Sequence, residues 1–146
     1  MTLRHLILVA AAAAALIGCS KPPSDSPPAV DPISHLAALP PADARQVSLV
    51  KDMKNWRNPY LVIRVDGIGL LDPANNEMKI LAPDQVVAAL AALPASAWPY
   101  GKAVAIAESG PAAASESDKA QLRKNRALVA GSLEGLHILI NWVPST

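Results

Sequence analysis

Fourteen prolines divide this 146-residue chain into the few stretches that can hold regular structure. Half of them are crowded early: Pro22, Pro23, Pro27, Pro28, Pro32, Pro40 and Pro41, with serine and aspartate between. Such a segment has too little apolar surface to offset its ordering entropy and leans toward extended conformers. Residues 19–44 are therefore predicted to be a tether. The apolar patch from Ile33 to Leu39 is read as a sticky piece of that linker rather than as a helix. Residues 1–18 form a leader, and residues 45–146 a single small domain.

Beyond the tether the patterning is that of alternating strands and helices. In residues 42–58, Val47, Leu49 and Val50 fit either a strand or the start of a helix; the preferred reading is a short helical or irregular lead-in that lays Trp56 on the domain, and Asn58-Pro59 ends any helix, because the residue before proline is pushed out of the α region. In residues 60–66, Leu61, Ile63 and Val65 point one way, and Tyr60, Val62, Arg64 and Asp66 the other. Asp66-Gly67 is a hairpin signal, residues 68–71 a return strand, residues 72–76 a second turn, and residues 78–81 a third short strand. Pro83-Asp84-Gln85 opens a helix, since proline and acid both suit a first turn. Its stripe is Val86, Val87, Leu90 and Leu93, and Pro94 stops it.

Residues 102–108 are predicted to be the central strand, with Val104 and Ile106 on one side and alanines on the other. Ser117 or Asp118 is expected to cap a helix whose Leu122, Val129, Leu133 and Leu136 share an arc, an arc that also holds Arg126. Gly135 marks its end. Residues 136–143 form the last strand, with Ile138, Ile140 and Trp142 alternating against His137, Leu139 and Asn141. With no phenylalanine in the chain, the core has to come from Ala, Val, Leu and Ile, with the tryptophans as its large pieces. Trp142 is expected there. The element order predicts an α/β (α+β) fold: a small two-layer sandwich of four to five strands with two helices on one face. The opposite sheet face would carry Tyr60, Arg64, Asp66, His137 and Asn141. Tyr60, Arg64, His137, Asn141 and Arg126 are the candidate binding residues.

The chemistry-bearing residues are sparse. The formal net charge is +1, and no basic patch argues for nucleic acid. No metal-ligand spacing or Gly-rich phosphate cradle is present, so no cofactor is expected. Ser109 lacks the Gly-x-Ser-x-Gly elbow of a hydrolase. Asp66 and His137 are the one acid–base pair from which a hydrolase could be built, and binding is the favoured reading over that chemistry. Arg126 is expected to lay its stem on the apolar stripe and keep its head wet. Its alternative role is to grip a carboxylate with its planar fork.

The leader has a basic start with Arg4, then an apolar run of residues 6–17, shorter than the ~20 residues of a spanning helix. It closes on Leu16-Ile17-Gly18-Cys19, which contains the only cysteine of the chain. That string resembles the lipobox of bacterial lipoproteins. The resemblance implies cleavage after Gly18, a diacylglycerol thioether on Cys19 and acylation of the new amino group. Several acyl chains anchor stably at ~0.8 kcal/mol per buried CH₂. Ser20, in place of the aspartate that favours retention in the inner membrane, implies sorting to the outer membrane, on its periplasmic side.

Two further resemblances concern the domain. Leu122-Arg123-Lys124-Asn125-Arg126-Ala127 looks like the end of the OmpA-type peptidoglycan-binding motif, with Arg123 in place of its serine and without the upstream aspartate after Ala107. It implies a peptidoglycan-binding module using Arg126 as a second reading. The element order of residues 60–143 looks like the periplasmic domain of the ExbD/TolR biopolymer-transport proteins. The favoured expectation is a lipid-anchored, non-catalytic interaction domain whose partners are the membrane, through the anchor, and another envelope protein.

Overall fold

The computed structural model describes residues 31–50, 53–71, 76–111 and 114–144. Cys19, the leader, the tether up to residue 30 and most of the turn at 72–76 lie outside the described residues.

The chain forms a five-stranded mixed sheet in the order β3-β2-β1-β4-β5. The strands are β1 (Tyr60–Arg64), β2 (Gly67–Leu71), β3 (Met78–Leu81), β4 (Ala103–Glu108) and β5 (Leu139–Trp142). β1, β2 and β3 are antiparallel neighbours, whereas β1, β4 and β5 run parallel. The middle strand is β1, not the expected 102–108 strand. β1 gains that place because β2 and β3 fold back on its far side, which leaves β4 one strand from the edge.

One sheet face carries the main core. Leu61, Ile63, Ile68, Leu70, Leu81, Val104, Ile106 and Ile138 pack there under three helices: α1 (Pro32–Ala38), α3 (Val86–Ala91) and α4 (Glu116–Gly135). The α+β sandwich and the strand parity are as the alternation predicts. The helix count is not, because α1 joins the layer. Its Leu36 is 1% exposed, and Leu39 is buried beside it.

The tether therefore does not run to residue 44. Asp31 accepts a hydrogen bond from the Ile33 N–H (3.0 Å), and Pro32 sits in the first turn. An acidic N-cap followed by proline starts a helix, and Leu36 and Leu39, three apart, then share one face. His35 ties this short helix to the end of α3 through its Nε2 and the Leu93 carbonyl, 3.2 Å apart. Proline density does not exclude a helix where an apolar pair such as Leu36 and Leu39 follows the proline.

α2 (Ala44–Leu49) and a 3₁₀ turn (Met53–Asn55) form the expected lead-in. They cross the second sheet face, where Val47 and Trp56 pack on Ala103 and Ala105. Two joints hold the lead-in down. The Pro40 carbonyl accepts from Lys102 N–H (2.9 Å), and Asn58 bridges to the entrance of β4. Asn58 is 3% exposed. Its Nδ2 donates to the carbonyls of Gly101 (2.8 Å) and Ala103 (2.7 Å), and its Oδ1 accepts from Tyr100 N–H (2.9 Å). Gly101 has φ +71°, and a Cβ there would collide with the carbonyl oxygens of Pro40 and Pro41. Only glycine lets the two segments approach so closely.

α4 starts on Ser115, not on Ser117 or Asp118. Ser115 Oγ accepts from Asp118 N–H (3.1 Å), and Asp118 Oδ2 accepts from Ser115 N–H (3.1 Å), a reciprocal capping box. On the buried side, Asn125 takes the position between Leu122 and Val129. It is 2% exposed, donates to the Arg64 carbonyl (2.8 Å) and accepts from Gln121 (2.8 Å). This bond fixes α4 over the end of β1.

Candidate functional site

The five residues expected on one binding surface are dispersed. The register places Tyr60, Ala105 and Asn141 in one row across β1, β4 and β5. Tyr60 and Asn141 thus share the second face, on either side of Ala105. Arg64 lies four residues further along β1, where it is committed to Asp66. Its Nε donates at 2.8 Å and its Nη2 at 3.1 Å to the two carboxylate oxygens. That fork lowers the Asp66 pKa, with hydrogen bonding the largest cause, and raises that of Arg64.

His137 is not in a strand. β5 begins at Leu139, and His137 has φ +55° in the turn that ends α4. Ile138 N–H donates to the Leu133 carbonyl (3.0 Å) and His137 N–H to the Glu134 carbonyl (2.9 Å). This is the paired closure of a helix C-terminus, with the residue after the cap in the left-handed region and an apolar contact between Ile138 and Leu133. His137 sits where the sequence rule puts glycine. Gly135 is instead the last helical residue. His137 precedes the start of β5, whereas Asp66 follows the end of β1. Since β1, β4 and β5 run parallel, the two lie at opposite ends of the sheet, and they form no acid–base pair.

Arg126 is at the rim of the helix layer. Its side chain is 49% exposed and donates to Glu108 Oε1 (3.1 Å). The same guanidinium lies over the Trp142 ring, 4.2 Å from the centroid. Both partners come from the chain itself: Glu108 from the end of β4 and Trp142 from the end of β5. Trp142 is on the helix side of β5, as its alternation requires, but it is 41% exposed. The core closes at Ile138 and the half-buried Ile140, and beyond them, at the end of edge strand β5, it is the Arg126 side chain of α4 that lies over Trp142.

The structure assembles a different cleft. It opens between the 3₁₀ turn and the start of β1, with a volume of about 410 Å³. Tyr60, Trp56, Met53 and Leu71 give it apolar walls, and Arg57, Lys54 and Asn76 supply polar groups at the lining. Burial raises the Tyr60 pKa. Among the described residues, neither the Tyr60 hydroxyl nor the Arg57 guanidinium makes a hydrogen bond or ion pair. Trp56, by contrast, has its indole N–H satisfied by the Pro59 carbonyl (3.1 Å). Of the five sequence-derived candidates, only Tyr60 lines the cleft. Arg57 was missed. Its signal was present in the string Lys54-Asn55-Trp56-Arg57, where two cations bracket an aromatic residue directly before a strand.

On the same sheet face, Met78 and Ile80 of edge strand β3 and Leu139 of edge strand β5 are partly exposed. The Met78 side chain folds over Gly69, whose missing Cβ makes the space for it. No group of three or more histidine, cysteine or acidic residues able to hold a metal ion occurs among the described residues. No helix among them is long and apolar enough to cross a membrane. Compared with protein-family models, curated proteins and solved structures, the chain shows no match.

Proposed function

We propose that this chain is a lipid-anchored protein of the bacterial envelope, held at the periplasmic side of the outer membrane through Cys19, whose α+β domain acts by binding another envelope protein. The observation that carries the anchor is the position of the single cysteine, at the end of an apolar run too short to span and directly after Leu16-Ile17-Gly18. Acylation also explains a lone thiol in an exported chain, where no second cysteine exists to pair with it.

Binding is favoured over catalysis by the separation of Asp66 from His137. Peptidoglycan binding through Arg126 is the second reading, less favoured because Arg126 is engaged by Glu108 and Trp142. The second sheet face, with its cleft at Tyr60 and its partly exposed Met78 and Ile80, is the surface offered to a partner.

Two measurements test this reading. Cells expressing the chain are labelled with radioactive palmitate, and the label is expected on the wild type and absent from Cys19→Ala. Equal labelling of both removes the anchor. Photo-crosslinking in intact cells from a probe at position 80 is expected to trap an envelope protein. Crosslinks to lipid alone contradict a protein partner.

A further inference from the structure

We infer that the cleft bounded by Met53, Trp56, Arg57, Tyr60 and Leu71 is a carboxylate-binding site, which takes a peptide segment bearing one acid next to an apolar side chain. The inference rests on the binding reading above and names the chemistry of that contact.

The charge inventory points to an anion. Arg57 lines the cleft with a guanidinium that has no partner among the described residues. The other arginines with described partners are spent: Arg64 on Asp66 and Arg126 on Glu108. A planar fork is suited to an oxyanion that accepts two parallel hydrogen bonds. The Tyr60 hydroxyl, also without a partner, adds a donor that stays protonated to higher pH than usual because burial raises its pKa. Asn76 brings an amide to the same lining.

The remaining walls decide which anion fits. Met53, Trp56 and Leu71 are apolar, and Trp56 offers no free donor, since its indole N–H is already bonded. A phosphate monoester dianion calls for more positive charge than one open guanidinium supplies, since the Tyr60 phenol and the Asn76 amide are neutral donors and Lys54 at the lining is already engaged. A single carboxylate is matched by one open fork and a phenol, and its apolar neighbour then covers the walls. A cleft of this size lies within the range of ligand sites, roughly 300–1,000 Å³, and is too small for a folded partner, so the ligand enters as an extended segment.

The test uses the full chain in detergent micelles and reads the Arg57 Nε–H and the Trp56 indole N–H by NMR. The probes are acetyl-Ala-Leu with a free carboxylate, its C-terminal amide, acetyl-Asp-Leu-amide and phenyl phosphate. At least one of the two carboxylate peptides is expected to shift both signals, and the neutral amide neither. Which of the two binds tells whether the acid is a chain terminus or a side chain. Arg57→Gln is expected to weaken binding about tenfold, the loss of ~1.4 kcal/mol from a charge-assisted pair. Arg57 is exposed, so the variant keeps the fold, which an unchanged spectrum away from the cleft verifies. Equal binding of acid and amide, no shift with either acid, or tighter binding of phenyl phosphate overturns the inference. Cellular crosslinking that persists in Arg57→Gln would sink the cleft and leave the wider binding reading standing.

Discussion

The Arg126 guanidinium lies 4.2 Å from the centre of the Trp142 ring while its Nη1 donates to Glu108. Three elements, β4, α4 and β5, are thereby pinned at one corner of the sheet by an exposed residue cluster. Cation–π contacts at exposed sites contribute about 0.5–1 kcal/mol, and an exposed ion pair about as little. The cluster orders the corner without dominating stability.

This sets the first prediction. Trp142→Ala is expected to lower the urea midpoint only slightly, by far less than the ~3–5 kcal/mol of a buried aromatic. A double-mutant cycle of Arg126→Ala with Trp142→Ala should return a coupling of about 0.5–1 kcal/mol. A loss of core size from Trp142→Ala alone would mean that the ring is buried in solution.

The turn at His137 gives a second prediction with the opposite sign. A non-glycine residue in the left-handed region costs roughly 1–2 kcal/mol, and His137 holds φ +55° there. His137→Gly removes that cost while keeping the backbone bonds to Glu134 and Leu133. The variant is expected to gain about 1 kcal/mol in equilibrium unfolding, less the extra chain entropy of glycine. His137→Val should lose stability, since a β-branched residue suits that conformation least. If His137→Gly is destabilised, the imidazole makes a contribution that this turn geometry does not contain.

These two residues also show where the sequence was legible. Alternation fixed the side of the sheet for every residue of β5, and Trp142 is on the side its parity requires. Parity carries no information about which side chains cover a position at the end of an edge strand, and that determines burial. His137 was assigned to a strand because it continues the alternation of Ile138 and Ile140. The competing signal was the end of α4, where Leu133, His137 and Ile138 form a closure that glycine usually marks. Arg126 and Asn125 differ by one position on the helix, about 100° of rotation. The apolar arc admitted either, and the structure buries Asn125, whose amide donates to the Arg64 carbonyl at the end of β1. The strands, α3 and α4 were readable because their periodicity is long or bounded by proline. The cleft was not, because it brings Met53 and Arg57 against Leu71 and Asn76 through pairings that no local pattern encodes.

A third prediction concerns acid. The Asp66 pKa is lowered in the folded chain by the Arg64 fork. A depressed carboxyl contributes stability above its ordinary unfolded value and loses that contribution as the pH falls through the folded one. Carbon-detected NMR should place the Asp66 midpoint below the usual aspartate range, and Arg64→Gln should return it toward that range. Because both groups are exposed, salt should move the midpoint the same way. An Asp66 midpoint unaffected by Arg64→Gln would mean that the fork is not populated in solution.

Asn58 supplies the last and largest effect. Its side chain hydrogen-bonds the end of the lead-in to the entrance of β4, and all three of its bonds are buried or half-buried. In Asn58→Ala, the Ala103 carbonyl and the Tyr100 N–H lose their Asn58 partner at once, while the Gly101 carbonyl keeps the Ala103 N–H at 2.7 Å. Leaving one buried polar group unsatisfied costs ~1–3 kcal/mol, so a loss of several kcal/mol is expected, a large part of a domain's ~5–15 kcal/mol. Asn58→Asp separates geometry from polarity. The two side chains are nearly the same shape, but an ionised carboxylate cannot donate, and it faces two carbonyl oxygens. It should be destabilised at neutral pH and recover in part as acid restores a donor to the side chain. Trp56 packs on Tyr100 across this joint, with ring centroids 5.6 Å apart. The tryptophan emission should therefore report the lead-in loosening before the sheet unfolds. If Asn58→Ala unfolds at the wild-type midpoint, the lead-in is not an integral part of the domain. The Trp56 wall of the carboxylate cleft would then have no fixed place against Tyr60.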